Sequence, residues 1–167
     1  MADIGCGEYT KAYFSEKRYT FLCNSSAGHN VAIIDGMEQS EGKERKGEIL
    51  KQTEDYLEIS MGNAYVIDTL DRYIRRFYLS DDRIKLVDTF QFKDTNAHTI
   101  TERFVSLIQP VQKGDQLYVD KMELRCERIP KITKTTIKDH SANDLDVFLI
   151  DYVISDKLFE IEFFIYF

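Results

Sequence analysis

Few side chains in this sequence can exchange a proton near neutral pH. His29, His98 and His140 are its three histidines, and imidazole is the one ordinary side chain that titrates there. No HxH, HExxH or CxxC spacing ties them to one another or to Cys6, Cys23 and Cys126, so no self-contained zinc site is visible. A G-x-S-x-G elbow and a phosphate-cradling glycine loop are likewise missing. His98, between Ala97 and Thr99, and His140, in the polar run Asp139–Asn143, read as exposed loop residues. His29 is different. It follows the small polar loop Asn24-Ser25-Ser26-Ala27-Gly28 and precedes an apolar run, a setting that could pin the ring and aim it at a ligand. A histidine held there for structure alone fits the same residues.

Two basic clusters are the other chemical feature. Lys43, Arg45 and Lys46 lie in the first long polar loop, and Arg72, Arg75 and Arg76 precede a central strand pair. Guanidinium forks suit carboxylate and sulfate groups; the plainer alternative is a solvated face or ion pairs with some of the 29 acidic residues. The net charge of −7 argues against a dedicated nucleic-acid binder, which needs a basic footprint. It leaves room for an acidic ligand held by a local cationic patch. No apolar run approaches membrane-spanning length, and the N-terminus lacks the layout of a signal peptide. Neither nucleic acid nor a membrane is therefore expected as a partner. Three cysteines without metal spacing read as reduced thiols.

The elements that must position these groups are extended. Period-two alternation places Tyr9 and Tyr13 on one face of a strand over Glu8–Phe14, and groups Tyr19, Phe21 and Cys23 on a second over Arg18–Cys23. Asn30–Ile34 predicts a short buried strand ending at the Asp35-Gly36 turn, followed by a polar loop from Met37 to Gly47. Ile49–Glu54 and Tyr56–Met61 pair, closed by a Gly62-Asn63 turn. Leu70–Leu79 fits a helical stripe as well as a strand, but the Ser80-Asp81-Asp82 turn and the alternating Ile84–Phe92 favour a hairpin with Ile74–Leu79. Thr101–Ile108, Gln116–Tyr118, Met122–Arg128 and Lys131–Lys138 are further strands. Val147–Ile154 and Leu158–Phe167 are expected to form a hairpin about a turn at Ser155-Asp156-Lys157. With 2 prolines and 8 glycines there is no linker. The pattern predicts one all-β domain over residues 1–167, an antiparallel β-sandwich of more than ten strands.

Several segments carry a resemblance. Asp3-Ile4-Gly5-x-Gly7-x-Tyr9-Thr10, Phe14-Ser15-x-x-Arg18-Tyr19, Ser25-Ser26-x-Gly28-His29-Asn30 and Ile34-Asp35-Gly36-x-x-Gln39 resemble the start of the C-terminal β-sandwich region of the heparinase II/III-like polysaccharide lyases. Tyr73-x-Arg75-Arg76 and Leu86-Val87-Asp88-x-Phe90 are similar to the same region. Beyond Phe90 only the all-β pattern continues. The resemblance implies an enzyme in which an N-terminal (α/α) toroid packs on the sandwich. The two would enclose a cleft where an acidic polysaccharide is cut by β-elimination: a base removes the C5 proton beside a uronate carboxylate and an acid, usually tyrosine, protonates the leaving oxygen. Neutralising the carboxylate acidifies that C–H, and Lys43, Arg45 and Lys46 are the candidate substrate-binding residues. Several members hold zinc in the sandwich through two histidines and an aspartate; the resemblance places two of these ligands at Asp3 and His29.

The departures from the family pattern shape the expectation. The toroid with its tyrosine is absent from these residues, as is the histidine-bearing strand upstream of Asp3 that would supply the remaining metal ligand. The chain therefore reads as the C-terminal, accessory sandwich of a larger lyase, inactive alone. Zinc is then possible in the full-length protein but not expected in the isolated domain, and the toroid and an acidic polysaccharide are the implied partners. A non-catalytic carbohydrate-binding module and a structural sandwich remain as alternatives. A signal peptide would lie outside this sequence, so a bacterial secreted, periplasmic or cytoplasmic location stays open.

Overall fold

The computed structural model describes residues 1–155 and 159–167. Its strands are β1 (Ala32–Ile34), β2 (Glu48–Gln52), β3 (Tyr56–Ser60), β4 (Leu70–Ser80), β5 (Arg83–Phe92), β6 (Ile100–Ser106), β7 (Val111–Lys113), β8 (Gln116–Val119), β9 (Met122–Arg125), β10 (Lys131–Lys138), β11 (Asp144–Ile154) and β12 (Glu160–Tyr166). They form two antiparallel sheets, one of four strands in the order β1-β6-β11-β10 and one of eight in the order β2-β3-β4-β5-β12-β9-β8-β7. The all-β sandwich is as the alternation predicts. Inward residues of both sheets, among them Leu86, Phe90, Phe104, Ile150, Tyr152 and Phe163, make the main core.

Leu70–Leu79 is strand throughout: Leu70 already pairs with Phe92, and the register runs unbroken from Arg72/Gln91 to Ser80/Arg83. The helical alternative therefore does not form. β9 stops at Arg125, and β7, which no pattern singled out, adds an edge strand after Pro110.

Two expectations fail. β11 and β12 are not a hairpin: β11 pairs with β6 and β10, whereas β12 pairs with β5 and β9, in the other sheet. Asp156 and Lys157 of the expected turn lie outside the described residues. Both strands alternate strongly, and alternation fixes which face is buried but not which neighbour is chosen.

The second failure is at the N-terminus, where Glu8–Phe14 and Arg18–Cys23 are not strands. Residues 11–14 turn, and short 3-10 segments follow at Glu16–Thr20, Leu22–Asn24 and Ser26–Gly28. Polar side chains tighten these turns. Thr10 Oγ1 accepts the Tyr13 amide at 3.2 Å, and Ser15 Oγ accepts that of Lys17 at 3.2 Å, the local bonds by which Ser and Thr compete with a sheet ladder. The segment is held by a second core in which Ile4, Tyr13 and Cys23 pack on Val105 and Val147. It thus makes a third layer over the outer face of the four-stranded sheet.

Candidate functional site

His29 leaves the last of those 3-10 turns in extended conformation (φ −128°, ψ 166°). The turn is tight enough to require its glycine: a Cβ on Gly28 would sit 2.1 Å from the Leu22 carbonyl oxygen. Three polar contacts fix the loop. The Ala27 amide donates to Glu38 Oε2 at 3.0 Å, the Gln39 amide donates to Ser26 Oγ at 2.9 Å, and Arg103 Nη1 donates to the Ala27 carbonyl at 3.0 Å while its other nitrogens clasp Asp151. On the far side, Asn30 ties strand to terminus. Its Nδ2 donates to the Ala2 carbonyl at 3.2 Å and its Oδ1 accepts the Val105 amide at 2.8 Å.

These struts set the His29 ring. Nε2 lies 3.2 Å from the Cys23 carbonyl, which can only accept, so the neutral ring carries its proton there and Nδ1 keeps the free lone pair. Nδ1 faces Asp3, 3.9 Å from Oδ2. The other Asp3 oxygen is engaged by the Gly5 amide at 2.7 Å. The two residues that the resemblance pairs are thus side by side, each with one donor atom committed to orientation and one facing its neighbour. Their side chains are 37% and 74% exposed.

A groove of about 660 Å³ opens beside them, lined by Tyr19, Asn24, Ser26, His29, Gln39 and Arg45 among others. Of the three basic candidates, the structure brings Arg45 to this groove, with Glu44 3.9 Å from its Nε. Lys43 and Lys46 are exposed and do not line it. Among the described residues no group of three or more His, Cys, Asp or Glu side chains is placed to hold a metal.

The other histidines divide. His140 is exposed as expected, but His98 is not: it is 6% exposed and stacks on Phe92, ring centroids 3.6 Å apart. Its Nδ1 lies 2.7 Å from Asp35 Oδ2 and its Nε2 2.8 Å from Asp94 Oδ1. Burial disfavours the charged ring, but its hydrogen bonds to both carboxylates outweigh it and raise the pKa above the ordinary value. The four-residue step from Asp94 to His98 was the available signal; Asp35 comes from the distant turn.

The second basic cluster also divides. Arg76 pairs with Glu58 on the surface, Nε to Oε2 2.8 Å. Arg75 is buried between the sheets, donating to Asp88, to Glu102 Oε2 at 3.0 Å and to the Asn30 carbonyl at 2.7 Å. Burial, and then the Asp88 charge, push the Glu102 carboxyl well above the usual carboxylate range. Arg75 therefore steadies the backbone next to His29 and is unavailable to a ligand. All three cysteines are free thiols, Cys6 exposed and Cys23 buried.

No family model matches the chain, and no curated protein does. Among solved structures it superposes over 99% of its length on heparan sulfate lyase HepC from Pedobacter heparinus, with TM-score 0.71 at 11% identity. A mutant of that protein gives TM-score 0.68 at 12% identity. The chain spans 28% of the length of each. The likeness is one of fold, and it bears out the β-sandwich that the resemblance implied.

Proposed function

We propose that this chain is the accessory β-sandwich of a heparinase II/III-like polysaccharide lyase, with the His29 groove forming one wall of the substrate cleft. The observation that carries this reading is that His29, with Asp3 beside it, and Arg45 line one groove, on a chain whose fold over its whole length is similar to a segment of a heparan sulfate lyase. Such an enzyme would act on a uronate-containing polysaccharide by β-elimination, with the proton-transfer groups on an adjoining toroid domain.

In this reading the chain binds and orients. Arg45 faces the uronate carboxylate, where a cation withdraws charge and makes the neighbouring C–H more acidic. Asn24 and Ser26 offer hydrogen bonds to sugar hydroxyls. The Glu38, Arg103 and Asn30 struts keep these groups in place as substrate arrives.

The Asp3–His29 pair fits part of a zinc site. Imidazole nitrogen and carboxylate oxygen are both zinc donors, and the free Nδ1 and Oδ2 converge. Two donors are fewer than the three or four zinc takes, so the remaining ligand would come from residues before Asp3. Zinc bound there would cross-brace the N-terminal segment and the His29 loop.

The test compares this chain with a longer polypeptide that carries the toroid ahead of it, both incubated with heparan sulfate and with alginate. Unsaturated-uronate absorbance is expected from the longer protein only. Its appearance from the 167-residue chain alone, or from neither, overturns the reading.

A further inference from the structure

Between the two sheets lies a cluster with one cation and two acids. Arg75 of β4, Asp88 of β5 and Glu102 of β6 meet there, with side chains 8%, 0% and 0% exposed. Both carboxyl groups take the same guanidinium nitrogen: Nη2 is 2.5 Å from Asp88 Oδ2 and 3.0 Å from Glu102 Oε2. Among the described residues Arg75 is the one cation paired with either of them. Two ionised carboxylates would leave a surplus negative charge in a dry site, and a buried acid in that position takes up a proton instead.

The surrounding elements do not repair the imbalance. The other cross-strand neighbours of the three residues are Ile59 of β3, Ile161 of β12, Ala32 of β1 and Tyr152 of β11, and none of them brings a cation. Tyr73 donates its hydroxyl to Asp88 Oδ2 at 3.3 Å, and Tyr65 gives its own to the Ala32 carbonyl at 2.6 Å. Burial pushes both phenols further from ionising, so they add hydrogen bonds and no charge.

Hydrogen bonds identify the acid that keeps the proton. Asp88 is fully served, with Arg75 Nε and Nη2 and the Tyr73 hydroxyl donating to its two oxygens. Glu102 is not. Its Oε2 accepts from Arg75, but its Oε1 is buried with no donor in reach, an unfavourable state for an anionic oxygen. Glu102 and Asp88 also lie within hydrogen-bonding reach of each other. That contact repels if both are ionised and bonds if one carries a proton. A neutral Glu102 donating to Asp88 removes the surplus charge and makes the contact attractive.

We infer that Asp88 and Glu102 hold one proton between them, and that this proton is a pH-dependent lock joining the two sheets behind the His29 loop. The link to the loop is the remaining arm of the guanidinium: Arg75 Nη1 donates to the Asn30 carbonyl at 2.7 Å, one residue beyond His29. In alkaline solution Glu102 gives its proton to water. A second negative charge then competes for the single guanidinium, and the hold on Asn30 weakens. The inference stands apart from the lyase reading, since it needs no ligand in the groove.

The test uses the 167-residue chain with isotope-labelled glutamate. At about pH 6.5 exposed carboxyl groups are ionised, so the infrared spectrum is expected to hold one protonated-carboxyl band that moves with the label. The band should be missing from Glu102→Gln, whose amide keeps the shape and neutrality of the acid and can donate to Asp88. The folded parent keeps a proton that the unfolded chain has released, so the parent loses stability as pH rises above the ordinary glutamate value of 4.5. The melting temperature of Glu102→Gln should therefore pull ahead, by roughly 3–5 °C per pH unit until the band is lost. As the band disappears, the Val31 amide, in the same peptide unit as the Asn30 carbonyl, should shift in the parent and not in the variant. Absence of the labelled band from the parent overturns the inference whatever the variant does. So does a variant less stable than the parent at neutral pH, or a gap between the two that does not change with pH. A Val31 amide that moves alike in both proteins overturns the link to the His29 loop.

Discussion

Arg75 grips Asp88 through two nitrogens in the middle of the sandwich, Nε 2.9 Å from Oδ1 and Nη2 2.5 Å from Oδ2. Glu102 crosses from the opposite sheet to share the same guanidinium, so one cation organises both sheets. Replacing Arg75 by Met strips Asp88 of its counter-charge in a dry site, at a cost of about 3–5 kcal/mol. The double variant Arg75→Met/Asp88→Asn should lose less than the sum of its singles. Urea unfolding measures both; additive losses would show that the pair is not a unit.

Gly28→Ala tests how tightly the groove is built. The new methyl would meet the Leu22 carbonyl at 2.1 Å and Ile4 Cδ1 at 2.8 Å, so the 3-10 turn must open. A loss of about 1–3 kcal/mol is expected from such overpacking. The His29 ring resonances should shift as its bond to the Cys23 carbonyl is disturbed. Unchanged stability and spectra would mean that the loop is softer than its hydrogen bonds imply.

His98 gives the fold a pH signature. Its pKa is raised in the folded state, so its contribution is complete below the ordinary histidine value of 6.5. That contribution declines as pH climbs through the higher folded value. The melting temperature of the parent chain should therefore fall, relative to that of His98→Gln, as pH rises from about 6.5 upward. Parallel curves for the two proteins would remove the imidazolium from the clamp. At pH 6, His98→Ala should cost about 2 kcal/mol through the loss of its charge-assisted bonds.

Zinc retention tests the partial metal site. With two donors in place, the isolated chain is expected to hold much less than one zinc per molecule after dialysis, by elemental analysis. Asp3→Asn and His29→Ala should then change its melting temperature in zinc no more than in chelator. Stoichiometric zinc in the isolated chain would show that the site is already complete within these residues.

Much of the sheet was legible because each strand alternates along its own length. The Asp35-Gly36 turn was legible for the same local reason. The structure makes it a two-residue connection between Ile34 and Met37 with φ of 51° and 75°, the left-handed geometry that Asp-Gly favours. The N-terminal segment misled because Tyr9, Tyr13, Tyr19 and Phe21 alternate like a strand, while Thr10 and Ser15 bond the local backbone and release it from pairing. His98 was misread because its burial depends on Asp35, which lies 63 positions earlier. The motif residues Asp3 and His29 do lie side by side, Nδ1 3.9 Å from Oδ2. Membership of a basic run said less about Lys43 and Lys46, since a loop turns only some of its side chains toward a groove.

The position of β12 bears on how the chain acquires its structure. This strand, close to the C-terminal end, lies between β5 and β9 and joins the two halves of the larger sheet. During synthesis β2 to β5 and β7 to β9 can form only separate, open-edged pieces until the residues of β12 emerge. The N-terminal cap must wait as well, since the surface it covers includes Val147 of β11. Folding is accordingly a late event dominated by contacts distant in sequence, and so slow. Until β12 is in place, the paired strands present bare edges to any neighbour, and a chaperone would matter more here than for a fold completed in order.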